Sequence, residues 1–100
     1  MANKVDGVIE AVRYKNGQIA AVRAYERRGA TFSDLVLIPR KTLLERLKSG
    51  KRFITGRRRE FWSSTFEQGK PVLLVRRNGS EVIATREDAE HDELEGTPLF

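Results

Sequence analysis

Cysteine is absent from this chain of 100 residues, and histidine occurs once, as His91. Without cysteine, neither a disulfide nor a thiolate zinc site can stabilise the fold, and a reducing cytoplasm is the simplest compartment. A single histidine excludes a metal site built on paired histidines, and no nucleophile lies beside His91 to form a catalytic triad. We therefore expect no catalytic residue, no metal and no cofactor.

Long apolar runs and phosphate-binding glycine motifs are also missing. No apolar run exceeds five residues, whereas a bilayer span needs about 20. The first residues lack the apolar stretch of a secretory signal, and neither a P-loop nor a Gly-x-Gly-x-x-Gly motif occurs. These absences predict a cytoplasmic protein that is not an enzyme and does not bind membranes.

Charge is abundant, and its two signs are segregated. Residues 1–86 contain all nineteen Lys and Arg but eight of the fourteen carboxylates, whereas residues 87–100, here called the acidic segment, contain six carboxylates and no base. Basic residues are densest at residues 48–59, which contain six cations and no acid. This pattern indicates a polyanionic partner.

The hydrophobic content of 39% is that of an ordinary globular chain. We expect residues 1–86 to form a single β-rich domain. The acidic segment has few apolar residues and many acids, which predicts a loose helix or a flexible C-terminal tail.

Two Asn-Gly pairs each lie between runs rich in strand-forming residues. Asn16-Gly17 separates residues 8–14 from 18–25, and Asn78-Gly79 separates residues 72–77 from 81–85. Asn and Gly tolerate the positive φ angles of a type I′ turn, whose twist suits the strands of a hairpin. Two β-hairpins are therefore predicted.

In the middle of the chain, the spacing of apolar residues changes from that of a strand to that of a helix. Residues 35–38 are continuously apolar and end at Pro39, which predicts a central, buried strand. Leu43, Leu44 and Leu47 then follow helical spacing, and Gly50 can end a helix over residues 40–49. The basic side chains of this helix are expected to point to solvent: Arg40, Lys41, Arg46 and Lys48.

Further strands are predicted at residues 51–57 and 61–67, with a turn at residues 68–71. A helix between the third and fourth of about six strands is the layout of oligonucleotide-binding (OB) barrels, and SH3-like barrels are a near alternative. The sequence thus predicts a mainly β fold, a small OB-like or SH3-like barrel with one short helix.

The basic stretch also contains aromatic residues. Alternate side chains of a strand point to opposite faces, and the sequence leaves the parity of this strand open. One parity points Ile54 to the core and Phe53 outward, where its ring could stack on a base. The opposite parity would make Phe53 a core residue. Of the neighbours Phe61 and Trp62, one should be buried and the other exposed. The predicted nucleic-acid site comprises Lys48, Lys51, Arg52, Phe53, Arg57, Arg58, Arg59 and Trp62.

Two functions remain open. The first is non-catalytic binding of RNA or single-stranded DNA with low sequence specificity, by phosphate neutralisation and base stacking. The second is a protein-interaction or accessory module, in which the basic face meets an acidic protein surface or an exposed sheet edge pairs with another chain. Either a monomer or a homodimer formed through a strand edge is compatible with the sequence.

The acidic segment has its own alternatives. Its carboxylates could fold onto the basic surface and compete with a polyanion, because a short tether gives an effective concentration near the millimolar range. They could instead serve solubility alone. Leu99 and Phe100 are a possible docking anchor.

Overall fold

The computed structural model describes residues 5–58 and 66–100. Both Asn-Gly hairpins are confirmed. The first joins β1 (Gly7–Lys15) to β2 (Gln18–Arg28), and the second joins β7 (Leu73–Arg77) to β8 (Ser80–Ala84). The two asparagines have φ angles of 53° and 48°, and the glycines after them 77° and 80°, as type I′ turns require.

Four further strands and one helix complete the elements. They are β3 (Thr31–Phe32), β4 (Val36–Pro39), α1 (Arg40–Lys48), β5 (Phe53–Arg58) and β6 (Phe66–Pro71). The predicted mainly β class with one short helix is confirmed. The helix follows the fourth strand rather than the third, because the two-residue strand β3 precedes β4.

The strands form a large sheet and a separate hairpin. The large sheet has the order β3-β2-β1-β5-β6, with β4 also paired to β2, and β7 pairs with β8. Among the described residues, the terminal strands β3 and β6 do not pair with each other. The sheet is therefore open there, and the predicted barrel is not confirmed.

A parallel pairing sets the arrangement of the sheet. Gly7 and Ile9 of β1 lie opposite Phe53 and Thr55 of β5, in the same direction. Parallel neighbours need a crossover connection, which here runs through β2, β4 and α1. The start of β1, the start of β5 and the end of antiparallel β2 consequently lie at one end of the sheet.

One core joins the sheet to the elements that cover it. Leu43 of α1 is fully buried, and Leu44 and Leu47 pack against the same cluster, which confirms the predicted apolar stripe. Strand β8 contributes Ile83, and the acidic segment contributes Leu94.

The run at residues 35–38 was expected to be a central strand, and this is wrong. Within the described residues β4 pairs with β2 and with no other strand, and the side chain of Leu37 is 60% exposed. Ile38 is the residue of β4 that enters the core. A continuous apolar run does not distinguish a buried strand from one that buries alternate side chains at an edge.

The turn expected at residues 68–71 is also wrong, because these residues belong to β6. A bulge places Gly69 and Lys70 opposite Thr55 of β5. The Thr55 hydroxyl accepts a hydrogen bond from the Lys70 N–H at 2.9 Å, and a Cβ at position 69 would collide with that hydroxyl. Gly69 therefore permits close approach of two strands instead of a chain reversal.

The acidic segment packs against the domain, in contrast to the expected loose helix or flexible tail. Ala89, Asp92 and Leu94 are buried. Glu93 forms a bridge with Ala84, and Leu99 forms one with Val12 of β1. Buried apolar contacts and backbone hydrogen bonds thus hold the segment, which its acidic composition alone did not indicate.

Asp92 is the central contact of this segment. Its carboxylate accepts hydrogen bonds from the Ile19 N–H at 2.8 Å, the Ile83 N–H at 2.9 Å and the Arg40 Nε at 2.8 Å. A second bond comes from the Arg40 Nη2 at 3.2 Å. Arg40 was expected to face solvent, but it turns inward because Asp92 supplies a buried partner for its charge.

Candidate nucleic-acid interface

The structure separates the residues of the predicted site. Lys51 and Arg52 are exposed in the loop before β5, and Arg57 is exposed near the end of that strand, about 13 Å beyond Phe53. Lys48, at the end of α1, has its ammonium 3.0 Å from the Glu81 carboxylate. Arg58 is the last residue of β5, whereas Arg59, Phe61 and Trp62 lie outside the described residues.

Phe53 is a core residue, so the alternative parity of this strand is confirmed and the inclusion of Phe53 in the predicted site is wrong. Its side chain is 2% exposed, while Ile54 is half-buried. The partner of Phe53 across the parallel pairing is Gly7, and the Phe53 ring occupies the space where a Cβ at position 7 would lie. The missing side chain of Gly7 therefore leaves the room in the core that the Phe53 ring occupies.

The end of the sheet where β1 and β5 begin contains a cleft with several cations, here called the cationic cleft. Its volume is about 250 Å³. It is lined by four cations, two carboxylates and one ring: Arg27, Arg28, Arg46, Lys51, Asp6, Glu26 and Phe53. The excess of cations over carboxylates gives the lining a formal charge of +2.

The topology explains why these cations meet. Arg27 and Arg28 are close to the end of β2, and Lys51 precedes β5. Antiparallel β2 ends beside the starts of β1 and β5, and the last turn of α1 brings Arg46 to the same place. Residues far apart in sequence therefore line one cleft.

Both carboxylates of the cationic cleft have partners. Glu26 lies 3.0 Å from the Nε of Arg46, and Asp6 accepts a hydrogen bond from the Arg52 N–H at 2.8 Å. Arg27 donates to the Val5 carbonyl at 2.7 Å, and its guanidinium lies 4.7 Å from the ring centroid of Phe32. These contacts hold the lining in place.

Three cations at or beside the cleft differ from the others. Arg28, Lys51 and Arg52 are exposed and make no ion pair within the described residues. The C-terminal end of α1, with its partial negative charge, is nearby, and Arg46 and Lys48 in the last turn offset it. The three exposed cations are therefore the groups available to an anion.

The carboxylates of the acidic segment have partners away from this cleft. Glu95 lies 2.8 Å from the Lys70 ammonium, and Glu93 lies 2.9 Å from the Arg86 guanidinium. The hydrogen bond from Lys70 lowers the pKa of Glu95, and the one to Glu93 raises the pKa of Arg86. Within the described residues, no ion pair joins the acidic segment to Arg28, Lys51 or Arg52.

Asp92 remains ionised although it is buried. Burial alone would raise the pKa of Asp92, but the hydrogen bonds from Arg40 and from the N–H groups of Ile83 and Ile19 outweigh it and lower the pKa. The hydrogen bond to Asp92 raises the pKa of Arg40 in turn. This pair is a structural element and is not available to a ligand.

A larger cleft of about 600 Å³ lies between β1, β5, β6 and the acidic segment. Its charged lining is balanced, with Arg57 and Lys70 against Glu10 and Glu95. Lys70 and Glu95 form an ion pair at its rim. Its size exceeds that of the cationic cleft, but a balanced lining does not favour a polyanion.

Sequence reasoning missed part of this arrangement. The sequence shows Arg27 and Arg28 as part of a basic surface, but their proximity to Lys51 depends on the parallel pairing of β1 with β5. The available signal was the helix between two predicted strands, since parallel strands require such a crossover. The role of Arg46 could not be read from its helical spacing.

The described residues contain no group of three or more His, Cys, Asp or Glu side chains that could hold a metal ion. A helix able to cross a membrane is also absent from this part of the chain. No family model matches the sequence, and neither curated proteins nor solved structures show a significant match to it.

Proposed function

We propose that this protein binds RNA or single-stranded DNA without catalysis, through the cationic cleft and Arg52 beside it. The supporting observation is the convergence of Arg27, Arg28, Arg46 and Lys51 on one cleft. Three exposed cations there lack carboxylate partners within the described residues, so phosphate groups can approach them without first breaking an ion pair.

The chemistry of the cleft favours phosphate contacts over base reading. Lys51 offers a compact ammonium, and Arg28 a planar fork that can pair with two phosphate oxygens or lie against a base. Phe53 takes no part in stacking because it is buried. Binding should therefore depend on charge and show little preference for sequence.

The salt dependence gives a quantitative test. If Arg28, Lys51 and Arg52 each neutralise one phosphate of a single strand, log K should fall with log salt concentration with a slope of about −2. Raising the salt from about 50 to 200 mM should then weaken binding about 20-fold.

The experiment is a fluorescence-anisotropy titration of the whole chain with labelled 12-nucleotide strands, one RNA and two DNAs of unrelated sequence. We expect saturable binding of all three with similar affinities and the stated slope. Absence of binding at low salt, or a slope near zero, would refute the proposal. Affinity for one sequence alone would contradict the phosphate-based mechanism.

A further inference from the structure

The outer edge of β4 is an open strand edge with exposed aliphatic side chains. Within the described residues, β4 pairs along its inner side with β2. Leu37 is 60% exposed and Leu35, just before the strand, is 38% exposed. An edge of this kind presents N–H and C=O groups to which another extended segment can add.

The sheet surface beside this edge is positively charged. Arg23 lies directly across the ladder from Leu37, and its guanidinium is 4.5 Å from the ring centroid of Phe100. Arg13 lies 4.6 Å from the same ring, and its Nε donates to the backbone oxygen of Phe100 at 3.2 Å. Neither arginine pairs with an Asp or Glu side chain within the described residues.

Phe100 orders this surface. Its N–H donates to the Val12 carbonyl at 3.1 Å, and the Val12 N–H donates to the Pro98 carbonyl at 2.8 Å, so the end of the acidic segment lies along β1. The ring then holds Arg13 and Arg23 by cation–π contact. Two arginines are thereby fixed beside an exposed leucine, and arginine is one of the residues enriched at protein interfaces.

We propose that the β4 edge binds an extended, acidic segment of a partner protein. The partner's backbone adds a strand to β4, an aliphatic side chain covers Leu37, and carboxylates face Arg23 and Arg13. A nucleic acid would leave the strand edge and the leucine unmatched, because it has no complementary peptide backbone. A second copy of this chain would double the positive charge of the face instead of neutralising it.

This site is separate from the cationic cleft. The edge strand β4 pairs with residues 21–24 of β2, whereas Arg28 lies about 17 Å further along that strand from Arg23. Charge reversal at Lys51 or Arg28 therefore tests the cleft alone, and the two proposals can fail independently.

The experiment uses a fluorescein-labelled peptide of eight residues, Glu-Thr-Val-Thr repeated twice, because residues two apart on a strand share a face and this spacing puts Glu and Val on the same side. The same peptide with Lys in place of Glu is the charge control. We expect the acidic peptide to bind the full chain and to slow amide hydrogen exchange in β4. Leu37→Ala should weaken binding about tenfold, the effect of uncovering most of one leucine. Leu99→Ala is the matched control, because Leu99 is 72% exposed but lies beside β1, and it should change affinity less than about twofold.

Several results would overturn the proposal. They are failure of the acidic peptide to bind, equal binding of the lysine control peptide, or loss of peptide binding in the Lys51→Glu variant, which would place the peptide in the cleft. Protection of β4 by an oligonucleotide would assign the edge to nucleic acid. A concentration-dependent dimer that Leu37→Glu abolishes would assign it to a second copy.

Discussion

Replacing Asp92 by Asn should destabilise the protein severely. The Asp92 carboxylate accepts bonds from two backbone N–H groups and from Arg40, and so connects β2, β8 and α1 to the acidic segment. An amide is nearly the same size, but its NH₂ group would face one of these donors. It also leaves the Arg40 guanidinium, whose side chain is 20% exposed, without its counter-charge.

The magnitude follows from the burial of the pair. Breaking a buried ion pair by removing one partner costs about 3–5 kcal/mol. The free energy of unfolding of a domain this size is roughly 5–15 kcal/mol, so the loss is a large fraction of the total. Truncating residues 87–100 removes the same contacts, and therefore cannot test competition by the acidic segment without also destabilising the domain.

The assay is urea unfolding followed by circular dichroism, with the chain at neutral pH. Asp88→Asn is the matched control, since it makes the same chemical change on a side chain that is 76% exposed and 3.8 Å from Arg86. We expect the control to change the free energy of unfolding by less than about 0.5 kcal/mol. A cost below about 1 kcal/mol for Asp92→Asn would refute the account of the buried pair.

Three further perturbations test the same structure. Because the pKa of Asp92 is lowered in the folded protein, its stabilising effect is complete above the ordinary pKa of 3.8 and is lost as the pH falls through the lower folded pKa. Urea midpoints should decline in that acidic range, and the decline should be smaller in Asp92→Asn. Phe53→Ala should lower the free energy of unfolding in urea by about 3–5 kcal/mol because the ring is buried, and an effect below about 1 kcal/mol would contradict that burial. Gly7→Ala should cost about 1–3 kcal/mol by thermal unfolding because its Cβ would overlap the Phe53 ring, and unchanged stability would contradict that contact.

Features determined by neighbouring residues could be predicted from the sequence. The Asn16-Gly17 and Asn78-Gly79 hairpins follow from the φ angles that these residues tolerate. The helix follows from the spacing of its leucines and from Gly50, whose φ of 90° ends it as expected. The mainly β class is the sum of such local preferences.

Features determined by contacts between distant residues could not be predicted from the sequence. The burial of Phe53 depends on a glycine 46 positions earlier, and the inward turn of Arg40 depends on Asp92, which is 52 positions later. An acidic stretch looks solvated when its composition is considered alone. The acidic segment packs against the domain because Asp92 accepts buried hydrogen bonds and Leu94 is buried in the core, and composition reports neither contact.

The candidate site was predicted in part. Lys51 and Arg52 were placed correctly on the surface, but the density of basic residues along the chain grouped them with Arg57, which the strand carries away from the cleft. The structure groups Lys51 with Arg27, Arg28 and Arg46 instead. Charge density in sequence reports a basic surface but not which cations share one cleft.

Charge reversal at the cationic cleft tests the proposed function most directly. The measurement is the salt slope of single-stranded oligonucleotide binding for the wild type, Lys51→Glu and Lys15→Glu. Lys15 is the matched control, since it is an exposed lysine at the other end of β1, about 27 Å from the start of that strand. We predict that Lys51→Glu weakens binding to every sequence and reduces the steepness of the slope by about 0.7, while Lys15→Glu leaves the slope unchanged. Equal effects of the two variants, or no effect of Lys51→Glu, would contradict binding at this cleft.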